Sequence, residues 1–268
     1  MTHTAMSEPL PEPPGLPERA QASPSTAQPH QPLARAIHRA VLYLSRDLFG
    51  GPRPFRQSWV IDVHKGMTGP FVGLLMLAYA NNTTAAWIYL ALHGGYGLAW
   101  VVKDRTFPDR DWQVRITFGG ALVTFLGLSL YWLLPFFLVS GILGGPPSPP
   151  LVAAAIAVYT VGLVLMLGSD AQKHFILRER SILVQDGFYR YVRHPNYLGE
   201  MLVYSGFAML VNHWLPWLIL GVMWAVLFLP RMLAIDASLA RYPDWPAYHA
   251  RTGFLVPRLR RRTSRESR

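Results

Sequence analysis

The chain contains no cysteine. Disulfides, thiolate nucleophiles and cysteine-ligated metals are therefore excluded, and we predict no metal site. Charge is also scarce, because 15% of the 268 residues are charged, against about 25% in ordinary soluble domains. Hydrophobic residues make up 51% of the chain. They occur in long runs rather than in alternation with polar residues, which predicts membrane spans.

The formal net charge of +10 would also fit a nucleic-acid-binding protein. However, the basic residues lie between and after the apolar runs, where they would meet anionic lipid headgroups. We therefore expect membrane lipids, and not nucleic acid, to be the partners of these charges.

Two segments precede the apolar runs. Residues 1–33 are rich in Pro, Ser and Ala and lack the apolar core of a signal peptide, so we expect a disordered tail. Residues 34–57 are predicted to form an amphipathic helix on the membrane surface. An ordinary soluble amphipathic helix would show the same pattern. The apolar residues on one face of this helix are Ile37, Val41, Leu44 and Leu48.

The predicted fold is an all-α, polytopic membrane protein with about six transmembrane helices. The spans are predicted at residues 67–80, 85–102, 116–138, 151–168, 197–212 and 215–234. The first span is short, so we expect neighbouring residues to complete it. By region, we predict N-terminal transmembrane helices in 58–143, a C-terminal catalytic region in 150–258 and a basic, disordered tail in 259–268.

The connecting segments predict the orientation. Lys and Arg residues are concentrated in residues 103–115, in residues 169–196 and after residue 235. The intervening turns "NNTT", "GGPPSPP" and "NHW" contain neither. Because Lys and Arg accumulate on the cytoplasmic side, we expect a multi-pass protein with both termini in the cytoplasm.

The segment "DGFYRYVRHPNYLGE", residues 186–200, places many hydrogen-bonding side chains next to the fifth predicted span. Its arginines and tyrosines could simply be positive-inside charges and an aromatic belt. His194, Asn196 and Glu200 need a further explanation. Pro195 disfavours a helical conformation at His194 and suits the first turn of the next helix. The unpaired N–H groups at the start of that helix would point toward a ligand in front of it. We predict a polar pocket that faces the cytoplasm and serves a soluble cofactor and a lipid-soluble substrate.

At family level, "GFYRYVRHPNYLGE" with the tail "RMLAIDASLARYPDWPAYHARTGFLVPRL" resembles the C-terminal region of a membrane-enzyme superfamily. The superfamily includes steroid 5-alpha-reductases, sterol C14-reductases, DUF1295 proteins, isoprenylcysteine carboxyl methyltransferases and phospholipid N-methyltransferases. The resemblance covers residues 150–258. It implies either NADPH-dependent reduction of a carbon–carbon double bond or methyl transfer from S-adenosylmethionine, and the RHPxY core is common to both.

Three features favour the reductase branch. The stretch "SDAQKHFILR" is similar to a reductase segment that holds NADPH. NADPH carries phosphate charges that a basic cluster can bind, whereas S-adenosylmethionine carries no phosphate. The form "HPNYLGE" also resembles the reductases. Methyltransferases of the isoprenylcysteine type tend to show an adjacent Glu pair where this tail has Ile235 and Asp236. The resemblance thus favours reduction of a steroid- or isoprenoid-like substrate.

The resemblance also implies roles for particular residues. Tyr197 and Glu200 would polarise the substrate or relay a proton. Asn196 would bond the nicotinamide or its ribose, Tyr242 and Trp245 would close the pocket from the tail, and Asp236 would be a polar contact. The other implied cofactor-binding residues are Gln172, Lys173, Arg178, Tyr191, Arg193 and His194.

Two alternatives remain open at this point. In a methyltransferase, Arg193, His194 and Tyr197 would hold S-adenosylmethionine and Asp236 its amino group, and the substrate would be a lipid amine or a prenylated carboxylate. A non-enzymatic membrane protein or transporter is the second alternative. It is disfavoured because the sequence shows no internal repeat and its polar residues cluster at one edge.

Overall fold

The computed structural model describes residues 32–258, so the predicted terminal tails lie outside the described residues apart from the two that begin the first helix. The protein is a bundle of long helices. Its α-helices and strands are α1 (Pro32–Arg46), β1 (Phe55–Arg56), α2 (Gln57–Ala78), α3 (Thr84–Thr106), β2 (Arg115–Ile116), α4 (Phe118–Ser129), α5 (Leu133–Ser140), α6 (Pro149–Glu179), α7 (Pro195–Val211), α8 (Trp214–Met223), α9 (Leu229–Leu239) and α10 (Trp245–Arg251). Short 3₁₀ turns occur at Arg110–Trp112, Leu130–Trp132 and Gly187–Tyr189, and a π-helix joins α8 to α9 at Trp224–Phe228.

The chain crosses the bundle six times. At one end the turns between helices touch each other, since the Asn81 side chain donates to the Val139 carbonyl at 2.8 Å and that of Asn212 to the Gly145 carbonyl at 3.4 Å. At the other end β1 pairs antiparallel with β2, which ties the start of α2 to the segment before α4. The two ends differ in charge, and the basic segments share the β1–β2 end.

Four of these crossings are long and apolar enough to span a membrane: Thr84–Thr106, Phe118–Ser140, Pro149–Glu179 and Trp214–Leu239. This chain is therefore a membrane protein, and the predicted all-α fold is confirmed. The remaining crossings, α2 and α7, coincide with the first and fifth predicted spans. That all six crossings span the bilayer stays a prediction.

Three boundaries differ from the sequence-based expectation. Helix α1 ends at Arg46, and residues 55–56 form a strand. Helix α2 begins at Gln57, ten residues before the first predicted span, and several of its polar side chains are buried. Helix α6 continues to Glu179. Residues 169–179 were predicted as loop, but they contain neither Gly nor Pro and form the last turns of that helix.

Local chemistry explains where the helices begin. Thr83 and Thr117 cap α3 and α4, because their hydroxyls accept from the backbone N–H groups of Ala86 and Gly120. Helices α6 and α7 begin with proline at the first position, where the missing N–H costs no hydrogen bond. Pro195 thereby fixes the start of α7 at the residue after His194.

Two glycines allow the helices that carry the site to approach closely. A Cβ at Gly97 of α3 would clash with the Lys65 carbonyl of α2. A Cβ at Gly199 of α7 would likewise clash with the Met166 backbone of α6. Side chains at the β1–β2 ends of α2, α3, α6 and α7 consequently lie close enough to interact.

Candidate functional site

A cavity of about 290 Å³ opens at the β1–β2 end of the bundle, where α6, α7 and α9 meet the segment after α3. Six cationic side chains line it together with three carboxylates, so its wall carries a surplus of positive charge. The cations are Lys103, Arg110, Lys173, Arg193, Arg231 and Arg241, and the carboxylates are Asp109, Asp111 and Asp170. Such a wall favours an anionic ligand.

One side of the cavity is formed by the last turns of α6. The Asp170 carboxylate forms an ion pair with Lys103 of α3 at 3.0 Å and lies 3.7 Å from the Lys173 ammonium. Lys173 also lies 3.8 Å from Asp109. One oxygen of Asp170, Oδ1, is buried without a hydrogen-bond partner within residues 32–258. This oxygen is the one that lies near Lys173, so the carboxylate balances the charge of both ammonium groups.

Arg231 of α9, which the sequence analysis did not identify, also lines the cavity. Its guanidinium pairs with Asp111 at 3.0 Å, lies 3.9 Å from Asp109, and stacks 4.0 Å from the centre of the Trp112 ring. Burial would raise the pKa of Asp109, but Lys173 and Arg231 outweigh burial and hold that pKa below its ordinary value. Asp109 thus stays ionised and positions both cations.

Asp236 of α9 clamps the segment before α7. Its carboxylate accepts from Arg193 Nε at 3.1 Å and pairs with His194 Nε2 at 3.0 Å. The Arg193 guanidinium also donates to the Thr252 carbonyl at 2.8 Å. Arg193 and His194 are 7% and 2% exposed, so this clamp is a buried, charge-assisted network.

The tail after α9 folds back onto the same segment. Backbone hydrogen bonds join Arg193 N–H to the Gly253 carbonyl at 2.9 Å and Gly253 N–H to the Tyr191 carbonyl at 3.0 Å. The Tyr248 hydroxyl donates to the Tyr189 carbonyl at 2.9 Å. Burial raises the pKa of Tyr248 to about 12, so this hydroxyl remains a donor at neutral pH.

The structure brings only part of the predicted cofactor-binding set to the cavity. The predicted cofactor-binding residues that line the cavity are Lys173, Arg193, His194, Asn196 and Tyr242. The predicted catalytic residue Tyr197 also lines it. Those outside the lining are Gln172, Arg178, Tyr191, Asp236 and Trp245.

Of the residues outside the lining, Gln172 shapes the neighbouring turn, since its amide bonds the backbone of Asp186 and Phe188. Arg178 is exposed and pairs with Glu179 at 3.7 Å.

Glu200, the other predicted catalytic residue, lies outside the cavity, one helical turn after Asn196. Its carboxylate accepts from the Tyr96 hydroxyl at 3.1 Å and lies 3.9 Å from the Lys65 ammonium. Lys65 also donates to the Tyr204 hydroxyl at 2.6 Å. Glu200 therefore ends a buried polar network that joins α2, α3 and α7.

The sequence analysis missed Lys65 because it placed the first span at residues 67–80. A signal was present, since "IDVHKGMTGP" carries an ionisable residue directly before an apolar run. Arg231 could have been found in the same way, because it follows Pro230 inside the last apolar run.

Fold and site together define a helical membrane protein with a cationic cavity at one end of its bundle. The chain belongs to the family described as "Protein of unknown function (DUF1295)", whose sequence model matches residues 53–252. This confirms the predicted DUF1295 membership. The uncharacterized protein C7D4.09c of Schizosaccharomyces pombe (strain 972 / ATCC 24843) is 33% identical over 88 residues. That match covers 32% of this chain and 30% of the relative, less than a third of either.

Proposed function

We propose that this protein is an integral membrane reductase of the steroid reductase-like superfamily. It would use NADPH to reduce a carbon–carbon double bond in a lipophilic, steroid- or isoprenoid-like substrate. The observation that carries the proposal is the position of the cationic cavity one helical turn from Glu200, inside an otherwise apolar bundle. A charged cofactor and a water-insoluble substrate can meet only at such a boundary.

The residues of the cavity fit the chemistry of NADPH. Lys173, Arg193 and Arg231 are placed to bind phosphate oxygens. Asp170 pairs with Lys103 and Lys173 and so holds two ammonium groups at the wall. The Asn196 amide lines the cavity without a hydrogen-bond partner among residues 32–258, so it is available to a ligand. Because about 290 Å³ lies near the lower bound of ligand sites, the cavity encloses part of a dinucleotide.

When bound, NADPH supplies a hydride, and the complete reaction converts one C=C bond, NADPH and a proton into a CH–CH unit and NADP⁺. The protein must align the two reactants and supply the proton to the second carbon. Tyr197, whose hydroxyl faces Arg231 at the cavity, would polarise the substrate. Glu200 and Tyr96 would pass the proton.

The structure also bears on the alternative methyltransferase. That hypothesis assigns Asp236 to the amino group of S-adenosylmethionine. Asp236 is already engaged by Arg193 and His194 through both of its oxygens. A ligand ammonium would have to displace one of these buried partners, which favours the reductase.

We propose that both termini are cytoplasmic and that all six helices cross the membrane. The basic segments after α3, α6 and α9 all contribute side chains to the one cavity, so they share a side, as the positive-inside rule requires. A reporter inserted within residues 144–150 is expected on the opposite side. A cytoplasmic signal from that reporter would refute this topology.

The decisive experiment titrates the full-length protein in detergent with NADPH and, separately, with S-adenosylmethionine by calorimetry. We expect heat from NADPH alone. Lys173→Gln is expected to weaken binding at least tenfold, because it removes a cation from the cavity wall. The matched control, Arg190→Gln, removes an exposed cation outside the lining and should change affinity less than twofold.

The opposite pattern would overturn the proposal. Heat from S-adenosylmethionine without heat from NADPH would assign the protein to the methyltransferases. A subsequent test follows NADPH absorbance with a panel of steroid and isoprenoid enones, and consumption that depends on an enone would establish the reaction class.

A further inference from the structure

Lysine is rare in this chain, and all of its lysines lie at or beside the candidate site. Of 25 Lys and Arg residues, three are lysines. Lys103 pairs with Asp170, Lys173 lies near Asp109 and Asp170, and Lys65 lies near Glu200. The first two belong to the cavity wall. Lys65 does not, and the roles proposed above leave it unused.

Lys65 is enclosed by aromatic rings. Its ammonium lies 4.5 Å from the ring centre of Tyr96, 5.0 Å from Trp100, 5.1 Å from Tyr204 and 5.6 Å from Tyr131. The side chain is 2% exposed. The faces of these rings interact favourably with a cation, so they offset part of the cost of burying the ammonium.

A purely structural role explains this arrangement poorly. Tyr96 lies near the middle of the candidate span α3, where an ionisable neighbour is costly and marks function by default. An apolar side chain of similar volume would fill the same space without desolvating a charge. The arrangement buries an ionisable group that packing alone would not require.

The hydrogen bonds of the network lead from Lys65 to Glu200, and Glu200 is its more exposed end. Lys65 donates to the Tyr96 hydroxyl at 3.4 Å, and that hydroxyl donates to Glu200 Oε1 at 3.1 Å. The Glu200 side chain is 19% exposed, whereas Lys65 and the Tyr96 side chain are almost fully buried. A proton that moves along these hydrogen bonds therefore emerges at Glu200.

The network is also contiguous with the cavity wall. The centre of the Trp100 ring lies 5.0 Å from the Lys65 ammonium and 4.6 Å from the Lys103 ammonium. Lys103 in turn pairs with Asp170 of the wall at 3.0 Å. The cavity wall and the buried network thus share contact with one indole.

We propose that Lys65 is a positioning residue of the reduction: it holds Tyr96 and Glu200 in line and supplies through them the proton that the substrate carbon accepts. This inference rests on the proposed reductase function. One proton leaves the Lys65 ammonium for Tyr96, the Tyr96 proton moves to Glu200, and the proton of Glu200 goes to the carbon next to the one that received the hydride. Water restores the proton on Lys65 before the next turnover.

The kinetic test uses a double-mutant cycle in the full-length protein, with NADPH oxidation by an active enone of the panel as the readout. Lys65→Met and Glu200→Gln are each expected to lower kcat at least tenfold and to leave the Kd for NADPH within twofold. Because Lys65 acts through Glu200, the double variant should be no slower than the slower single variant. Losses that multiply in the double variant would overturn the role of Lys65.

A spectroscopic test covers the case in which Lys65→Met does not fold. Selective ¹⁵N-lysine labelling gives three side-chain resonances, and Glu200→Gln is expected to move one of them. The control, Glu179→Gln, removes an exposed carboxylate that pairs with Arg178 at 3.7 Å, and should move none. Resonances that do not respond to Glu200→Gln would refute the coupling.

The two proposals fail in different ways. Absence of NADPH binding by the wild-type protein overturns the reductase and the proton path with it. Binding and turnover of the wild type, with multiplicative losses in the cycle or unmoved lysine resonances, overturns the role of Lys65 alone.

Discussion

Removal of the Asp236 carboxylate is the perturbation with the largest expected effect on this fold. Asp236→Ala leaves the Arg193 guanidinium, 7% exposed, with the Thr252 carbonyl as its remaining bonded partner, and it frees the His194 ring. Breaking a buried ion pair by deleting one partner costs about 3–5 kcal/mol. Since whole domains are stable by about 5–15 kcal/mol, this substitution removes a large share of the total.

The assay is unfolding of the variant in detergent, followed by tryptophan fluorescence, together with a titration of NADPH. We expect a loss of about 3–5 kcal/mol in the free energy of unfolding and much weaker NADPH binding, because Arg193 and His194 line the cavity. The control is Glu179→Ala, which breaks the exposed pair with Arg178 and should cost less than about 1 kcal/mol. If Asp236→Ala costs no more than the control, the clamp does not stabilise the fold.

Two further substitutions test the packing of helices and tail. Gly97→Ala should cost about 1–3 kcal/mol in unfolding free energy, because its Cβ meets the Lys65 carbonyl; Gly95→Ala, with nothing within 4 Å, should be neutral or stabilising. Equal effects of the two would refute the close approach. Tyr248→Phe should cost about 1–2 kcal/mol through the lost bond to the Tyr189 carbonyl. Burial raises the pKa of Tyr248 to about 12. The difference in unfolding free energy between the wild type and Tyr248→Phe should therefore be fully present below about pH 10 and should vanish as pH rises through about 12. A difference that stays constant across this range would contradict the assignment.

Helix α2 shows why part of the bundle escaped the sequence analysis. Asp62, His64 and Lys65 lower the hydropathy of its first half, so the apolar run begins only at about residue 67. In the structure these side chains are buried against other helices rather than against lipid. Hydropathy measures the cost of exposure to lipid and takes no account of a polar partner on a neighbouring helix.

Part of the candidate site likewise follows from local sequence, and part depends on tertiary contacts. The start of α7 and the placing of Asn196 and Tyr197 on its first turn follow from Pro195 and helical periodicity, which are local. Gln172 was predicted to bind the cofactor because "SDAQKHFILR" resembles a reductase segment that holds NADPH. Its amide instead bonds the turn at Asp186 and Phe188, fourteen and sixteen residues away.

The sequence by itself determined the membrane class, the all-α fold and the segment around which the cavity forms. Those features depend on composition, on runs of apolar residues and on proline, all of which act within one helix. Only the tertiary structure decided that Asp236 meets Arg193 and His194 and that Lys65 meets Glu200. These pairs join segments that are far apart in the sequence, and the contacts depend on how closely glycines such as Gly97 let the helices approach, which no local pattern records.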